Sequence, residues 1–173
     1  MLTATEEYAL RAMISIATRP EGGYVLAREL SQELSIPQLY LSKILQTLAR
    51  RGLLDSQRGR RGGFGMAKPA KDISVLDILS AVNGSERFKR CILGFQACCD
   101  ENPCPLHHVW KAEKDRILEV FSSTRLSDLS GNGPLGPDMK SSPPLQVQRN
   151  RRARPHDLLF LTKLKNVLSP YSC

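Results

Sequence analysis

The chain has 173 residues and a formal net charge of +8, from 25 Lys and Arg against 17 Asp and Glu. That length suits one moderate core or a small domain with extensions, and the positive balance is compatible with a polyanionic partner without proving one. The acidic opening MLTATEEYAL has no basic segment followed by an apolar run, and no stretch approaches the ~20 apolar residues of a bilayer span, so the sequence predicts neither a leader nor a membrane helix and a cytoplasmic location is expected.

The charge is unevenly spread: net +5 over residues 1–90, −2 over 91–130 and +5 over 131–173. Residues 4–18 read as a helix with Tyr8, Ala9, Ala12, Met13 and Ile16 on one face, opened by Thr3 or Thr5 and ended by Pro20, Gly22 and Gly23. Leu26, Leu30 and Leu34 share a face of a short second helix over 26–34. Ser35-Ile36-Pro37 interrupts, and Pro37 suits the first turn of a third helix reaching Arg50, with Leu41, Ile44, Leu45 and Leu48 inward. Two short strands, 53–57 and 64–68, flank Arg58-Gly59-Arg60-Arg61-Gly62-Gly63, a tight and basic reversal. Two helices joined by a short turn and followed by a basic hairpin spell a winged helix-turn-helix.

Further on, Ser74 with Asp77 makes a capping box for a helix to about Val82, buried through Val75, Ile78, Leu79 and Val82. Residues 91–104 lack a period and read as a loop. Pro105 begins a longer helix to about Phe121, whose stripe of Leu106, Trp110, Ile117 and Phe121 is long for a chain with so little other core and is assigned in part to a partner helix. After Ser130 a Gly, Pro and Ser-rich linker leads to the basic run Arg149, Arg151, Arg152 and Arg154 and to residues 157–168, which could form a short amphipathic helix; the tail is expected to be flexible. The expected architecture is mainly α with a small β wing. A DNA-binding domain spans 1–72, a connecting helix and cysteine loop 73–104, a dimerisation helix and the end of the core 105–130, and the tail 131–173.

The third helix is the candidate recognition element. Gln pairs with adenine and Lys donates to guanine, and N-terminal residues of such a helix reach base edges, which favours Gln38, Tyr40, Ser42 and Lys43. Arg50 lies further along as a phosphate contact, and Arg58, Arg60 and Arg61 at the wing tip suit phosphates or the minor groove. A helical domain with a merely charged turn is the plainer alternative.

Five cysteines in a reducing compartment are not expected to pair as disulfides, and four of them lie between Cys91 and Cys104. Three spaced thiols beside an imidazole suit an iron–sulfur centre, a zinc ion held by three Cys and His107, or a thiol switch joining Cys98 or Cys99 to Cys91 or Cys104. Spacing alone does not choose among them. No catalytic arrangement is visible: His107 and His108 sit with the cysteines, His156 is in the tail, and no glycine-rich phosphate loop follows a strand, so neither an enzyme nor a small organic substrate is expected. Cys173 reads as an exposed thiol.

Taken together, Leu2-Thr3 with Tyr8-Ala9-Leu10-Arg11, the segment Ile36 to Leu54, the wing Arg58-Gly59 to Gly62-Gly63-Phe64, Ile73 to Val82, and Cys104-Pro-Leu-His107-His108 followed by Trp110 resemble the iron–sulfur cluster regulator family of winged helix-turn-helix transcription factors over about residues 1–130. The resemblance implies a homodimer with crossed helices from about residue 105, each wing-bearing domain reading half of an inverted-repeat operator in double-stranded DNA, most often as a repressor. It also implies that Cys91, Cys98 and Cys104 bind a cluster. The family spacing places five residues between successive ligands; here six separate Cys91 from Cys98, so Cys99 is an alternate for Cys98. The fourth ligand implied is His107, which favours [2Fe–2S], or Glu7 donated across the dimer, which leaves [4Fe–4S] open. Signals in such a family are cluster or iron supply, redox state and nitric oxide. A zinc-binding or cluster-free thiol-switch regulator of the same fold is the alternative.

Overall fold

A computed structural model describes residues 2–20, 23–59, 62–84 and 90–130. Arg60 and Arg61 of the expected wing tip, and everything assigned to the tail from residue 131, lie outside the described residues.

Helix α1 runs Ala4–Ala17 and Thr3 opens it. The Thr3 backbone N–H donates to the Glu6 carboxylate at 2.7 Å, and the Glu6 N–H donates back to Thr3 Oγ1 at 3.4 Å. This reciprocal cap satisfies two N–H groups that the first turn would otherwise orphan, and it lets the fully buried Glu6 sit in the core. Helix α2 (Ala27–Leu34) ends at Ser35, whose φ of 53° puts it in the left-handed region usually taken by glycine. The Ile36 N–H then reaches the Ser31 carbonyl at 3.0 Å, and buried Ile36 closes the turn from below. Pro37 stands just ahead of α3 (Gln38–Arg50) rather than inside its first turn. The inward face of α3 is Leu41, Ile44, Leu45 and Leu48, as the periodicity predicts.

Strands β1 (Leu54–Gln57) and β2 (Gly63–Met66) pair antiparallel with Leu54 opposite Met66 and Gln57 opposite Gly63. Relative to the sequence expectation the hairpin is trimmed at its open end, where Ala67, Lys68 and the buried Leu53 fall outside the strands, and it gains Gly63 at the turn. A further bridge ties the wing to the segment ahead of α2: Val25 N–H donates to the Phe64 carbonyl at 3.0 Å and Phe64 N–H to that of Val25 at 2.9 Å.

A single 3-10 turn (Ala70–Asp72) leads to α4 (Val75–Asn83), which carries the predicted Ser74–Asp77 box. Helix α5 spans His107–Ser123, and none of its residues is buried within the chain. A sixth helix, α6 (Leu126–Ser130), is not legible in the sequence; it returns the chain to the core, with Leu126 fully buried and its N–H donating to the Ile73 carbonyl at 2.8 Å. One continuous core thus draws on α1, α2, α3, β1, α4 and α6, while α5 leans on α4 and leaves the rest of its surface open. Among the described residues no helix is long and apolar enough to cross a membrane.

Candidate metal centre and nucleic-acid interface

The outward face of α3 presents Gln38, Lys43, Gln46 and Arg50 to solvent, with Ser42 half-buried among them. Tyr40 is placed differently from its neighbours. Its hydroxyl is hydrogen-bonded to Thr5 and its ring stands edge-on to Tyr8, with centroids 5.8 Å apart, so it fastens α3 to α1. Arg50 donates to Thr47 Oγ1 at 3.2 Å, which lays its guanidinium along the helix. Arg58 is exposed at the start of the wing turn. Between α3 and the wing lies an open cleft lined by Ala27, Gln46, Arg50, Ser56, Arg58 and Phe64. One residue of this face escaped the sequence reading. Leu39 is 83 % exposed, beside Gln38 at the N-terminal end of α3. Its position two residues before Leu41 puts it out of phase with the buried series, and that offset was the available signal.

At the start of α5 the loop brings three thiols together. Cys91, Cys98 and Cys104 place their sulfurs within 4.8 Å of one another, and Cys91 Sγ lies 3.6 Å from Cys104 Sγ. The loop reaches this shape by short turns: Gly94, at φ 77°, donates to the Cys91 carbonyl at 3.0 Å, and Cys99 and Asn102 exchange backbone hydrogen bonds. The sulfur of Cys99 is outside the group. The imidazole of His107 is outside it as well but touches its edge, with Nδ1 3.1 Å from Cys98 Sγ. Its other nitrogen, Nε2, is 2.9 Å from Asp100 Oδ1, and Lys111 Nζ donates to both Asp100 oxygens at 2.8 and 2.6 Å. Glu7 stands half-buried in the first turn of α1 and belongs to no such group among the described residues.

Burial pushes the Cys91 thiol up, but the backbone N–H groups of Leu93 and Phe95 and the neighbouring thiols bring it below its ordinary range. For Cys98 the balance reverses: the Cys104 backbone N–H favours the thiolate, while burial and the Cys104 and Cys91 sulfurs push it up to about 11. Three adjacent sulfurs repel as thiolates, so filling the set with a metal releases protons. Hydrogen bonds from Lys111, then His107, hold Asp100 down at about 2. A soft, sulfur-rich donor set of this kind fits an iron–sulfur centre or a thiophilic metal ion and does not fit a hard cation.

Residues 2–132 match the Rrf2 family, described as "Iron-dependent Transcriptional regulator". The chain belongs to the Rrf2 family.

Its relatives agree with that membership. A putative HTH-type transcriptional regulator of Aquifex aeolicus is 32 % identical over 127 residues, covering 72 % of this chain and 88 % of the relative. The HTH-type transcriptional regulator IscR of Photorhabdus laumondii is 33 % identical over 131 residues, covering 76 % and 79 %. Among solved structures, CymR of B. subtilis, titled the global cysteine regulator, superposes with a TM-score of 0.64 at 26 % identity, over 77 % of this chain and 98 % of that one. T. potens IscR gives 0.63 at 25 %, over 76 % and 87 %. As an Rrf2 protein the chain is a DNA-binding transcription regulator with a winged helix-turn-helix and a cysteine set able to hold a metal.

Proposed function

We propose that this Rrf2 protein is a homodimeric repressor whose binding to an inverted-repeat operator is governed by a [2Fe–2S] centre on Cys91, Cys98, Cys104 and His107. The observation that carries the reading is the convergence of three sulfurs and one imidazole nitrogen at the first turn of α5. Cys98 Sγ lies within 4.8 Å of both other sulfurs and 3.1 Å from His107 Nδ1, so the four donors meet around Cys98. Three thiolates and one imidazole would give a [2Fe–2S] centre its four protein ligands. When bound, the centre supplies a link among the four side chains that is sensitive to iron supply, redox state and nitric oxide.

The chain's own residues carry that state outward. Cys104 and His107 flank the start of α5, α5 rests on α4, and α4 packs on both α1 and α3. The open side of α5, with Val109 and Val120 exposed and Trp110, Ile117 and Phe121 half-buried, is the surface for a second copy. Half-site spacing is fixed by the duplex, so a small change in how α5 meets its partner costs several DNA contacts at once. Moving the binding-competent state from 1:99 to 99:1 takes about 5.5 kcal/mol, within reach of metal coordination. Gln38, Ser42 and Lys43 serve as the base-reading residues and Arg50 as a phosphate contact, while the wing arginines Arg58, Arg60 and Arg61 serve the phosphates or the minor groove.

The test is iron, sulfide and absorption measurement on protein purified without oxygen, followed by operator binding with and without the centre. Colourless, sulfide-free protein containing zinc would replace this reading with the zinc regulator. On an operator selected from random duplexes, Arg58→Ala is expected to weaken binding and to lower the slope of log K against log salt by about 1 per half-site. An unchanged slope would remove Arg58 from the phosphate contacts. Leu39 is placed to meet a thymine methyl, worth about 0.8 kcal/mol or roughly fourfold per half-site. Replacing each operator thymine by deoxyuridine in turn is expected to expose one position that matters to the native protein and not to Leu39→Ala. If no position behaves so, Leu39 reads no methyl.

A further inference from the structure

Asp100 and Lys111 have no part in the donor set, yet they form a tight chain of contacts that ends on it. Asp100 follows the ligand candidate Cys98 by two residues, and Lys111 lies one helical turn after His107, on the same side of α5. The Asp100 carboxylate receives His107 Nε2 at 2.9 Å on one oxygen and Lys111 Nζ at 2.8 and 2.6 Å on its two oxygens. We propose that Asp100 is a positioning residue for the metal centre: it fixes the His107 ring so that Nδ1, and not Nε2, is the nitrogen offered to the sulfur set.

The argument is geometric. An ionised carboxylate only accepts, so the ring nitrogen facing Asp100 carries the hydrogen. A neutral imidazole has one hydrogen, and the opposite nitrogen is left with a bare lone pair. That nitrogen is Nδ1, and it already lies 3.1 Å from Cys98 Sγ. Lys111 holds the carboxylate at both oxygens and stops it from swinging away. Stability alone does not account for the arrangement, since the side chains of Asp100 and Lys111 are 65 % and 45 % exposed and such pairs contribute little. What the contact does fix is a ring orientation, and carboxylates placed behind ligating histidines change metal retention by roughly 10- to 100-fold.

The inference rests on His107 being a ligand, and the experiment separates the two claims. Full-length native protein, His107→Ala, Asp100→Ala and Asp100→Asn are purified anaerobically with the centre in place. Each is followed for loss of colour to a chelator, and for the nitrogen coupling of the reduced centre with histidine labelled only at Nδ1. Asp100→Ala is expected to lose the centre about tenfold faster or more, with the label no longer uniformly coupled. Asp100→Asn keeps an acceptor oxygen at nearly unchanged size, and is expected to keep Nδ1 coupling while losing the centre faster than the native protein, because the charge facing Lys111 is gone. If Asp100→Ala and Asp100→Asn both match the native protein while His107→Ala does not, the positioning role falls and the ligand stands. Native-like coupling and retention in His107→Ala, or coupling to the unlabelled nitrogen in native protein, overturns the positioning role; only the former also removes the ligand.

Discussion

Cys91→Ala and Cys104→Ala, made separately, are each expected to abolish the visible absorption of anaerobically prepared protein and to cut bound iron at least about tenfold. The two sulfurs are 3.6 Å apart within a group of three, so removing either leaves only two sulfurs beside His107. A protein with two sulfurs and one imidazole has lost a quarter of the proposed ligands. Cys98→Ala belongs with them, and Cys99→Ala does not: Cys99 contributes its backbone to a turn with Asn102 and its sulfur stands outside the group. Iron and sulfide analysis together with the absorption spectrum reads all four variants. Full colour in Cys91→Ala or Cys104→Ala rejects that residue as a ligand, and a colourless Cys99→Ala with a coloured Cys98→Ala would exchange the two assignments. Helix content measured alongside guards against misfolding, since the four cysteines are only half-buried and lie outside the main core.

How far such expectations could be drawn from sequence differs from element to element, and the reasons are physical. The apolar faces of α1, α3 and α4 were legible because each meets the core through several residues at helical spacing, although at the end of α4 Ala81 is buried and Val82, expected there, is only partly so. Ser74 with Asp77 was legible because a capping box is a local pattern. Helix α6 was not, because its place depends on one residue: Leu126 is buried by contact with α1 and the turn before α4, and a five-residue polar segment has no period to betray it. Tyr40 looked outward by its spacing, but the Thr5 hydroxyl and the Tyr8 ring, both on another helix, hold it against α1. In the cysteine loop the residue types announced a metal-ligand chemistry, while which of Cys98 and Cys99 stands with Cys91 and Cys104 depends on the folded path of the loop, which spacing does not encode. Asp100 was invisible for the same reason: its meeting with His107 is made by folding of the loop onto α5, not by any interval along the chain.

Gly63→Ala is expected to weaken operator binding by at least tenfold and to destabilise the fold by about 2–4 kcal/mol. The position has φ 140°, where a side chain is strained, and a Cβ there would lie 2.3 Å from the Val25 carbonyl oxygen and 2.6 Å from its carbon. Both are backbone atoms and neither can rotate aside. The strand must therefore move away, and with it go the two hydrogen bonds between Val25 and Phe64, at 3.0 and 2.9 Å. Strain of roughly 1–3 kcal/mol and two bonds of about 1 kcal/mol each give the stated range once partial relaxation is allowed. Binding suffers because those bonds set the wing against the start of α2, and the cleft between wing and α3 is lined by both Arg50 and Arg58. Gly59→Ala is the matched control. Gly59 also has a positive φ, 110°, but nothing lies within 4 Å of its Cβ, so it carries strain without collision. Thermal unfolding and operator titration of the two variants should separate them, with Gly59→Ala keeping most of its affinity. Equal losses in both would mean that the wing acts on DNA independently of its bridge to Val25, and that backbone strain in the hairpin, not its docking, sets the affinity.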